Sequence, residues 1–245
     1  MLAIIGGSGL SQLASLEARS RRVVRTPFGE PSGPLTFGRI RGREVVFIAR
    51  HGYGHTIAPH RVNYRANLWA LKEQGVKGVI SVASVGGIRP QFGPGALVIP
   101  HQIIDYTWGR RHTFYDAPGD PVVHIDFTEP YSAALRARLL AAARACGEQV
   151  HDGAVYAATQ GPRLETAAEI NRLERDGADI VGMTGMPEAA LAREAGLEYA
   201  AIAVVANHAA GRGASVHAVR LEAIEAVLEA AMARVRRIIE EAVAT

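Results

Sequence analysis

The chain has 245 residues, a size that suits one large α/β domain and leaves little room for two independent cores. Hydrophobic residues make up 48% of it, which excludes a disordered chain, and the formal net charge of +3 is too small to indicate a nucleic-acid partner. Cys146 is the only cysteine, so an intrachain disulfide is excluded and a cysteine-ligated metal site is not expected.

Residues 1–7 contain neither a basic region nor a long apolar run. We therefore expect no signal peptide, no membrane span and a cytoplasmic protein.

Short apolar runs alternate with amphipathic stretches along the chain. The predicted strands are Leu2–Ile5, Glu44–Ala49, Gly78–Val82, Ala96–Pro100, Ala154–Ala158, Ile180–Met183 and Tyr199–Ala206. The predicted helices are Val62–Glu73, Ser132–Arg144, Glu165–Arg175, Pro187–Ala195 and Val219–Ala242. This alternation predicts an α/β fold over 1–245, with a single domain and a central mixed β-sheet flanked by helices. The polar, aromatic stretch Trp108–Asp120 is predicted as a surface or interface loop.

Several predicted strands run into residues that bind anions. The first ends in Gly6-Gly7-Ser8-Gly9, where bare glycines let backbone N–H groups approach an anion, although a tight structural turn fits equally well. Arg50-His51-Gly52 and Ser84-Val85-Gly86-Gly87 follow two further strands. An arginine at a strand end can bind phosphate with two hydrogen bonds, but a solvated arginine is the simpler alternative.

Two later positions carry groups that can read a heterocycle. Asn207 ends a strand, and its amide offers both a donor and an acceptor, although a local turn role is the alternative. Glu165 is predicted at the start of a helix, where stabilisation of the helix N-terminus is its alternative role. Phosphate ligands and heterocycle readers at neighbouring strand ends together indicate one cleft for a phosphate and a purine.

Other common site patterns are absent from the sequence. The Gly-rich turn lacks the third glycine of the dinucleotide fingerprint, and there is neither a Walker pattern nor a Gly-x-Ser-x-Gly elbow. His51 and His55 have the i, i+4 spacing of a metal-binding pair on a helix. Gly52 and Gly54 lie between them and disfavour a helix there, and the glutamate of the His-Glu-x-x-His zinc motif is missing. We therefore expect no metal site there.

The sequence resembles the trimeric purine nucleoside phosphorylases and, among them, the methylthioadenosine phosphorylases. The motifs that carry the resemblance run almost from end to end: Ile4-Ile5-Gly6-Gly7-Ser8-Gly9-Leu10, Ala49-Arg50-His51-Gly52, Val62-Asn63-Tyr64-Arg65-Ala66-Asn67-Leu68-Trp69-Ala70-Leu71, Val85-Gly86-Gly87-Ile88-Arg89, Gln160-Gly161-Pro162-Arg163 and Gly182-Met183-Thr184-Gly185-Met186-Pro187-Glu188. The resemblance implies a trimer, or a dimer of trimers forming a hexamer. It also implies no metal or other cofactor, with inorganic phosphate as a co-substrate.

The resemblance also implies a role for individual residues. The residues implied to bind phosphate are Ser8, Arg50, His51, Ser84 and Thr184. Those implied to surround the base are Val85, Gly86, Leu164, Glu165 and Asn207. Met183 would lie against the ribose, and His124 would reach the site of a neighbouring subunit near the 5′ end. Asn207, Arg50 and Glu165 are the residues expected to carry the catalysis.

One departure from the family pattern concerns the base. Family members that act on 6-aminopurines have Asp-x-Asp where this chain has Asn207-His208-Ala209, and they have serine in place of Glu165. An asparagine amide can donate to a 6-oxo oxygen, and a carboxylate can accept the N1–H that a 6-oxopurine has and adenine lacks. Both differences favour hypoxanthine or guanine as the base.

A second departure concerns the 5′ end of the substrate. Members acting on inosine place a histidine at the start of the last helix, where the alignment puts Leu221, with Ile224 one turn later. An apolar pair suits a methylthio group and leaves a hydroxyl unpaired. His217 is a competing candidate for this position, and a plain core role is the alternative for Leu221.

We therefore expect phosphorolysis of S-methyl-5′-thioinosine to hypoxanthine and 5-methylthioribose 1-phosphate, by a pentosyltransferase of purine salvage. The alternatives within the family are S-methyl-5′-thioadenosine phosphorylase and a phosphorylase acting on inosine or guanosine. A nucleosidase that uses water and a nucleotide-binding module without catalysis are the alternatives outside it. The expected partners are a purine nucleoside and phosphate, with no nucleic acid and no membrane.

Overall fold

The computed structural model describes residues 1–10, 13 and 15–245. The strands are β1 (Leu2–Gly6), β2 (Glu17–Arg22), β3 (Leu35–Ile40), β4 (Arg43–Ala49), β5 (Gly78–Gly87), β6 (Leu97–Ile99), β7 (Gln102–Asp105), β8 (His151–Asp152), β9 (Val155–Ala158), β10 (Ile180–Gly182) and β11 (Glu198–His208). The helices are α1 (Tyr64–Glu73), α2 (Ala133–Ala145), α3 (Ala167–Arg175), α4 (Gly185–Glu194) and α5 (Leu221–Ala244), and short 3₁₀ turns cover Pro59–Arg61 and Gly213–Ser215.

Eleven strands form one mixed sheet, in which the order along the main path is β2-β3-β4-β1-β5-β10-β9-β7. The other edge of β5 pairs in parallel with β11. The strand β11 also pairs with β6, and β6 pairs with β8. Along the edge of β5 that faces away from β11, residues 78–81 pair in parallel with β1, whereas residues 86–87 pair with β10 in the antiparallel sense. Neither strand pairs with residues 82–85, so the sheet opens there, at the kind of switch point where α/β sheets bind ligands.

The predicted fold class is confirmed, and each predicted strand and helix has an observed counterpart with ends shifted by a few residues. The sequence prediction missed β2, β3, β7 and β8. The strand β2, Glu-Ala-Arg-Ser-Arg-Arg, is exposed at nearly every position at the edge of the sheet, so it has no apolar alternation to reveal it. The strand β8 has only two residues.

Helices cover both faces of the sheet. Side chains alternate between the faces along β11: Ala201 and Ala203 belong to one core cluster, whereas Ile202 and Val204 belong to another. The first cluster contains most of the buried apolar residues of α1 and α4, and the second contains those of α2 and α5. The strands at the centre of the sheet are therefore buried on both sides, as their unbroken apolar sequences indicate.

Side-chain caps mark where α1 and α2 begin. Asn63 accepts a hydrogen bond from the N–H of Ala66 at the start of α1, and Ser132 accepts one from Leu135 at the start of α2. Such caps stabilise a helix by about 1 kcal/mol. Within the described residues, none of the helices combines the length and the apolar character needed to cross a membrane.

Candidate active site

A cavity of about 540 Å³ lies where the sheet opens beside β5. The predicted site residues that line it are Ser8, Arg50, His51, Ser84, Val85, Gly86, Leu164, Glu165, Met183, Thr184, Asn207, Leu221 and Ile224. The antiparallel register of β10, in which Val181 pairs with Gly86, carries the chain after β10 back alongside residues 84–85. The sheet topology therefore brings these sequence-distant residues into one cavity.

Arg50 is one of the residues that line this cavity and is completely buried. Its Nε and Nη2 donate to the two carboxylate oxygens of Glu188, at 2.6 and 2.9 Å. Nη2 also donates to Ser81 Oγ at 2.6 Å, and Nη1 donates to the carbonyl oxygen of Val82 at 2.9 Å. Tyr199 and Ser81 donate hydroxyl hydrogens to the same oxygen of Glu188. The alternative of a solvated arginine is therefore wrong.

The charges of Arg50 and Glu188 depend on each other. Burial alone would lower the pKa of Arg50, but the charge and hydrogen bonds of Glu188 hold that pKa above its ordinary value. Burial likewise opposes ionisation of Glu188, but Arg50 and the donors around it hold the pKa of its carboxyl below the ordinary value. Both side chains are therefore ionised at neutral pH, and four of the five guanidinium hydrogens of Arg50 are used, which leaves one on Nη1.

The Gly-rich turn after β1 packs directly on this cluster. A Cβ atom at Gly7 would lie 2.4 Å from the carbonyl oxygen of Val82 and 2.8 Å from Nη1 of Arg50. Only glycine fits so close to fixed backbone and to a side chain held by four hydrogen bonds. Ser8, which follows Gly7 in this turn, also lines the cavity.

His51 lies in the same part of the cavity and is only 6% exposed. Its Nδ1 lies 2.8 Å from the carbonyl oxygen of Ile57, which can only accept, so Nδ1 carries the hydrogen. Burial and the neighbouring charge of Arg50 lower the pKa of His51 to about 4. The ring is therefore neutral at pH 7, and Nε2 is available as an acceptor.

This protonation state predicts how stability depends on pH. The folded pKa of about 4 lies below the ordinary value of 6.5, so the contribution of a neutral His51 to stability is complete above pH 6.5 and is lost as the pH falls towards 4. At pH 5 the loss relative to pH 7 is about 2 kcal/mol. We expect His51→Asn, which keeps a donor for Ile57, to reduce the fall in unfolding free energy between pH 7 and 5 by that amount. An equally steep fall in the variant would contradict this protonation state.

Glu165 also lines the cavity and directly precedes the N-cap residue of α3. Thr166 and Glu169 form a reciprocal capping box, so the cap of α3 does not use the carboxylate of Glu165. Thr159 Oγ1 donates to Oε1 of Glu165 at 2.6 Å. Within the described part of the chain Oε2 makes no hydrogen bond, so one oxygen is fixed and the other is available to a ligand.

Asn207 follows a bulge near the end of β11. Its Nδ2 donates to the carbonyl oxygen of His208 at 2.7 Å, and because a carbonyl only accepts, this contact determines which end of the amide is the nitrogen. Among the described residues, the second hydrogen of Nδ2 and the oxygen Oδ1 have no partner. The amide therefore offers one donor and one acceptor.

Three apolar residues around the start of α5 also line the cavity. They are Val219, Leu221 and Ile224, whereas His217 is exposed and is not among the lining residues. Leu221 is 62% exposed, so its alternative as a core residue of the helix is wrong. His124 is also exposed and lies away from the cavity of its own chain.

The comparisons with known proteins agree with this geometry. The family model described as the phosphorylase superfamily matches residues 1–244. The chain belongs to the phosphorylase superfamily. A relative of this phosphorylase named probable S-methyl-5′-thioinosine phosphorylase, from Pseudomonas syringae, is 55% identical over 96% of the chain and 94% of its own length. The 6-oxopurine nucleoside phosphorylase of Pyrococcus furiosus is 48% identical over 86% of the chain and 80% of its own length.

Solved structures with the same fold include methylthioadenosine phosphorylase from Schistosoma mansoni in complex with adenine. It has a TM-score of 0.95 and 34% identity, and the match covers 99% of this chain and 90% of that one. The fold of this phosphorylase is therefore that of a nucleoside phosphorylase.

Sequence reasoning missed the groups that hold the predicted residues of this phosphorylase in place. Glu188 was part of a recognised motif, but its ion pair with Arg50 joins positions 138 residues apart. A single glutamate in the apolar sequence Met186-Pro187-Glu188-Ala189-Ala190 was the one available signal, since buried carboxylates require a partner. Thr159 carried no such signal.

Proposed function

We propose that this chain catalyses the phosphorolysis of S-methyl-5′-thioinosine to hypoxanthine and 5-methylthioribose 1-phosphate. The observation that carries the proposal is that one cavity is lined by three chemically distinct groups: Arg50 with its partners, the pair Glu165 and Asn207, and the apolar residues Val219, Leu221 and Ile224. An anion, a 6-oxopurine and an apolar 5′ group match these three groups in chemistry. The names of two relatives that are each 55% identical in sequence support the same substrate.

Inorganic phosphate is proposed to bind between the Gly-rich turn and Arg50. The remaining Nη1 hydrogen of Arg50 and the hydroxyl groups of Ser8, Ser84 and Thr184 would donate to phosphate oxygens. His51 cannot donate through Nε2, so it would accept from the hydroxyl of the monoprotonated phosphate. Glu188 would prevent Arg50 from moving toward the anion, so the donor is in place before phosphate arrives.

The purine is proposed to bind against Glu165 and Asn207, with Val85, Gly86 and Leu164 around it. The free carboxylate oxygen of Glu165 accepts N1–H, while the amide of Asn207 donates to O6 and accepts from a proton at N7. As the bond between C1′ and the base nitrogen breaks, its electron pair enters the purine, which takes a proton from solvent at N7. A phosphate oxygen then supplies the electron pair of the new bond to C1′, so no protein nucleophile is needed.

The sugar is proposed to lie along Met183, with its 5′ methylthio group against Val219, Leu221 and Ile224. Inosine would place a hydroxyl beside these apolar side chains and would lose the apolar contact that a methylthio group makes with them. This disfavours a phosphorylase acting on inosine or guanosine, the function that the name of the Pyrococcus relative supports. The methylthioadenosine phosphorylases of known structure share the fold and support the other alternative, which Glu165 and Asn207 disfavour.

The reaction type is tested by measuring hypoxanthine release from S-methyl-5′-thioinosine with and without inorganic phosphate. We expect release to depend on phosphate and 5-methylthioribose 1-phosphate to form in equal amount, as followed by ³¹P NMR. Release at the same rate without phosphate would indicate a nucleosidase. Binding of the nucleoside without release in either condition would indicate a binding module.

The resemblance also leads us to propose a trimer, or a dimer of trimers, in which His124 reaches a neighbouring site. We expect light scattering to give a mass of three or six chains at the assay concentration. His124→Ala should then raise the KM for the nucleoside more than the KM for phosphate. An active monomer at that concentration would contradict the proposal.

A further inference from the structure

Arg110, in the segment after β7, donates hydrogen bonds to backbone carbonyl oxygens of two separate segments. Its Nη2 donates to Gln160 at 2.8 Å and to Thr159 at 3.2 Å. Its Nη1 donates to Met183 at 2.8 Å and to Met186 at 2.6 Å. Its Nε also donates to the side-chain oxygen of Gln160 at 3.2 Å. One side chain therefore joins residues 159–160 to residues 183–186.

Both of these segments carry walls of the cavity. Thr159 bonds to Glu165 and begins the loop that leads to it, and Met183 lines the cavity directly. The two segments also touch each other: a Cβ atom at Gly161 would lie 2.4 Å from the sulfur of Met183. Arg110 itself does not line the cavity, so it acts on a ligand only through these segments.

The neighbouring arginines differ from Arg110 in their partners. Arg65 and Arg111 pair with the carboxylate of Asp116, at 2.6 and 3.0 Å. For Arg110, no carboxylate within the described ranges forms an ion pair, and its charge is shared by four carbonyl oxygens. Hydrogen bonds from a charged donor are about twice as strong as neutral ones. Removal of Arg110 would take a charged donor from all four carbonyls at once.

We propose that Arg110 is a positioning residue that fixes the distance between the loop bearing Glu165 and the end of β10 bearing Met183, and thereby sets the affinity for the nucleoside. Of the proposed phosphate ligands, only Thr184 lies in a segment that Arg110 holds. Arg50 is held independently by Glu188, Ser81 and Val82, so the affinity for phosphate depends on Arg110 less than the affinity for the nucleoside does. The expected effect on KM rests on the proposed function, whereas the expected effect on the two segments does not. The positioning role of Arg110 also gives a function to the segment that the sequence predicted only as a surface or interface loop.

The test compares Arg110→Gln, Arg110→Lys and the adjacent control Arg111→Gln. Arg111 is in the same segment, but 71% of its side chain is exposed, and among the residues that the structure describes it pairs only with Asp116. We expect Arg110→Gln to raise the KM for S-methyl-5′-thioinosine by about tenfold or more, because small displacements of site walls have effects of this size. The KM for phosphate should change by less than about threefold. The KM for the nucleoside in Arg110→Lys should lie between the values for wild type and Arg110→Gln. Arg111→Gln should have the same KM values as wild type.

Amide hydrogen exchange supplies a second readout that does not need activity. Exchange should rise in residues 159–166 and 183–186 of the Arg110 variants and remain unchanged in Arg111→Gln. If the wild type releases no base while exchange rises in these two segments, the proposed function fails and the positioning role stands. Unchanged exchange in the two segments, exchange that rises throughout the chain in both Arg110 variants, or an equal rise in both KM values would each overturn the inference.

Discussion

Glu188→Gln is expected to lower the free energy of unfolding by about 3–5 kcal/mol, because it leaves the buried charge of Arg50 without a counter-charge. The substitution keeps the size of the side chain, so the loss is electrostatic and does not come from a cavity. Arg50 and Glu188 are both completely buried, and two hydrogen bonds join them. Denaturant unfolding of the variant and the wild type measures the difference.

Tyr199→Phe is the matched control, since it removes one hydrogen bond to Glu188 and no charge. It should cost only about 1 kcal/mol. Added phosphate should raise the stability of Glu188→Gln more than that of the wild type, because the anion would supply part of the missing negative charge. A loss no larger in Glu188→Gln than in Tyr199→Phe would contradict the proposed energetics.

A double replacement separates stability from activity. Arg50→Met combined with Glu188→Met removes both charges together, and the double variant should be more stable than Glu188→Gln. It should nevertheless have no phosphate-dependent activity, because the donor to phosphate is gone. Activity at the wild-type level would remove Arg50 from the phosphate site.

Asn207→Asp is the second substitution with a large expected effect. An aspartate accepts hydrogen bonds at both oxygens, so it loses the donor to O6 and gains an acceptor for a 6-amino group. The ratio of kcat/KM for S-methyl-5′-thioinosine to that for S-methyl-5′-thioadenosine should fall by about 10–100-fold. Overall activity should also fall, because the amide contact with the His208 carbonyl is lost.

Asn207→Ala is the control for this prediction. It removes the donor and the acceptor together, so it should lower the activity on both nucleosides and change their ratio less than Asn207→Asp does. An unchanged ratio in Asn207→Asp would show that Asn207 does not read position 6 of the purine.

The elements of the fold that could be predicted are those with a strong apolar period. The central strands β1, β5 and β11 are buried on both faces, and their unbroken apolar sequences show it. The edge strand β2 pairs with β3 in the antiparallel sense. Its side chains form no buried face, so the sequence shows no apolar pattern there. Its pairing depends on tertiary context, which local sequence does not encode.

The same division holds for the candidate site. Arg50, Asn207 and Glu165 could be named because they stand next to predicted strands or in recognised motifs. The partners that determine their geometry could not. The ion pair with Glu188 joins distant parts of the chain, and the acceptors of Arg110 are mostly backbone carbonyls, which have no sequence signature.

The central claim is that the site prefers a 6-oxopurine, and the most direct test is a comparison of two nucleosides on the wild-type protein. The two substrates, S-methyl-5′-thioinosine and S-methyl-5′-thioadenosine, differ only at position 6 and N1 of the base. At saturating phosphate we predict that kcat/KM is higher for the inosine form by about a hundredfold or more, since adenine meets two mismatched groups, at Asn207 and at Glu165. Equal values, or a higher value for the adenosine form, would contradict the account.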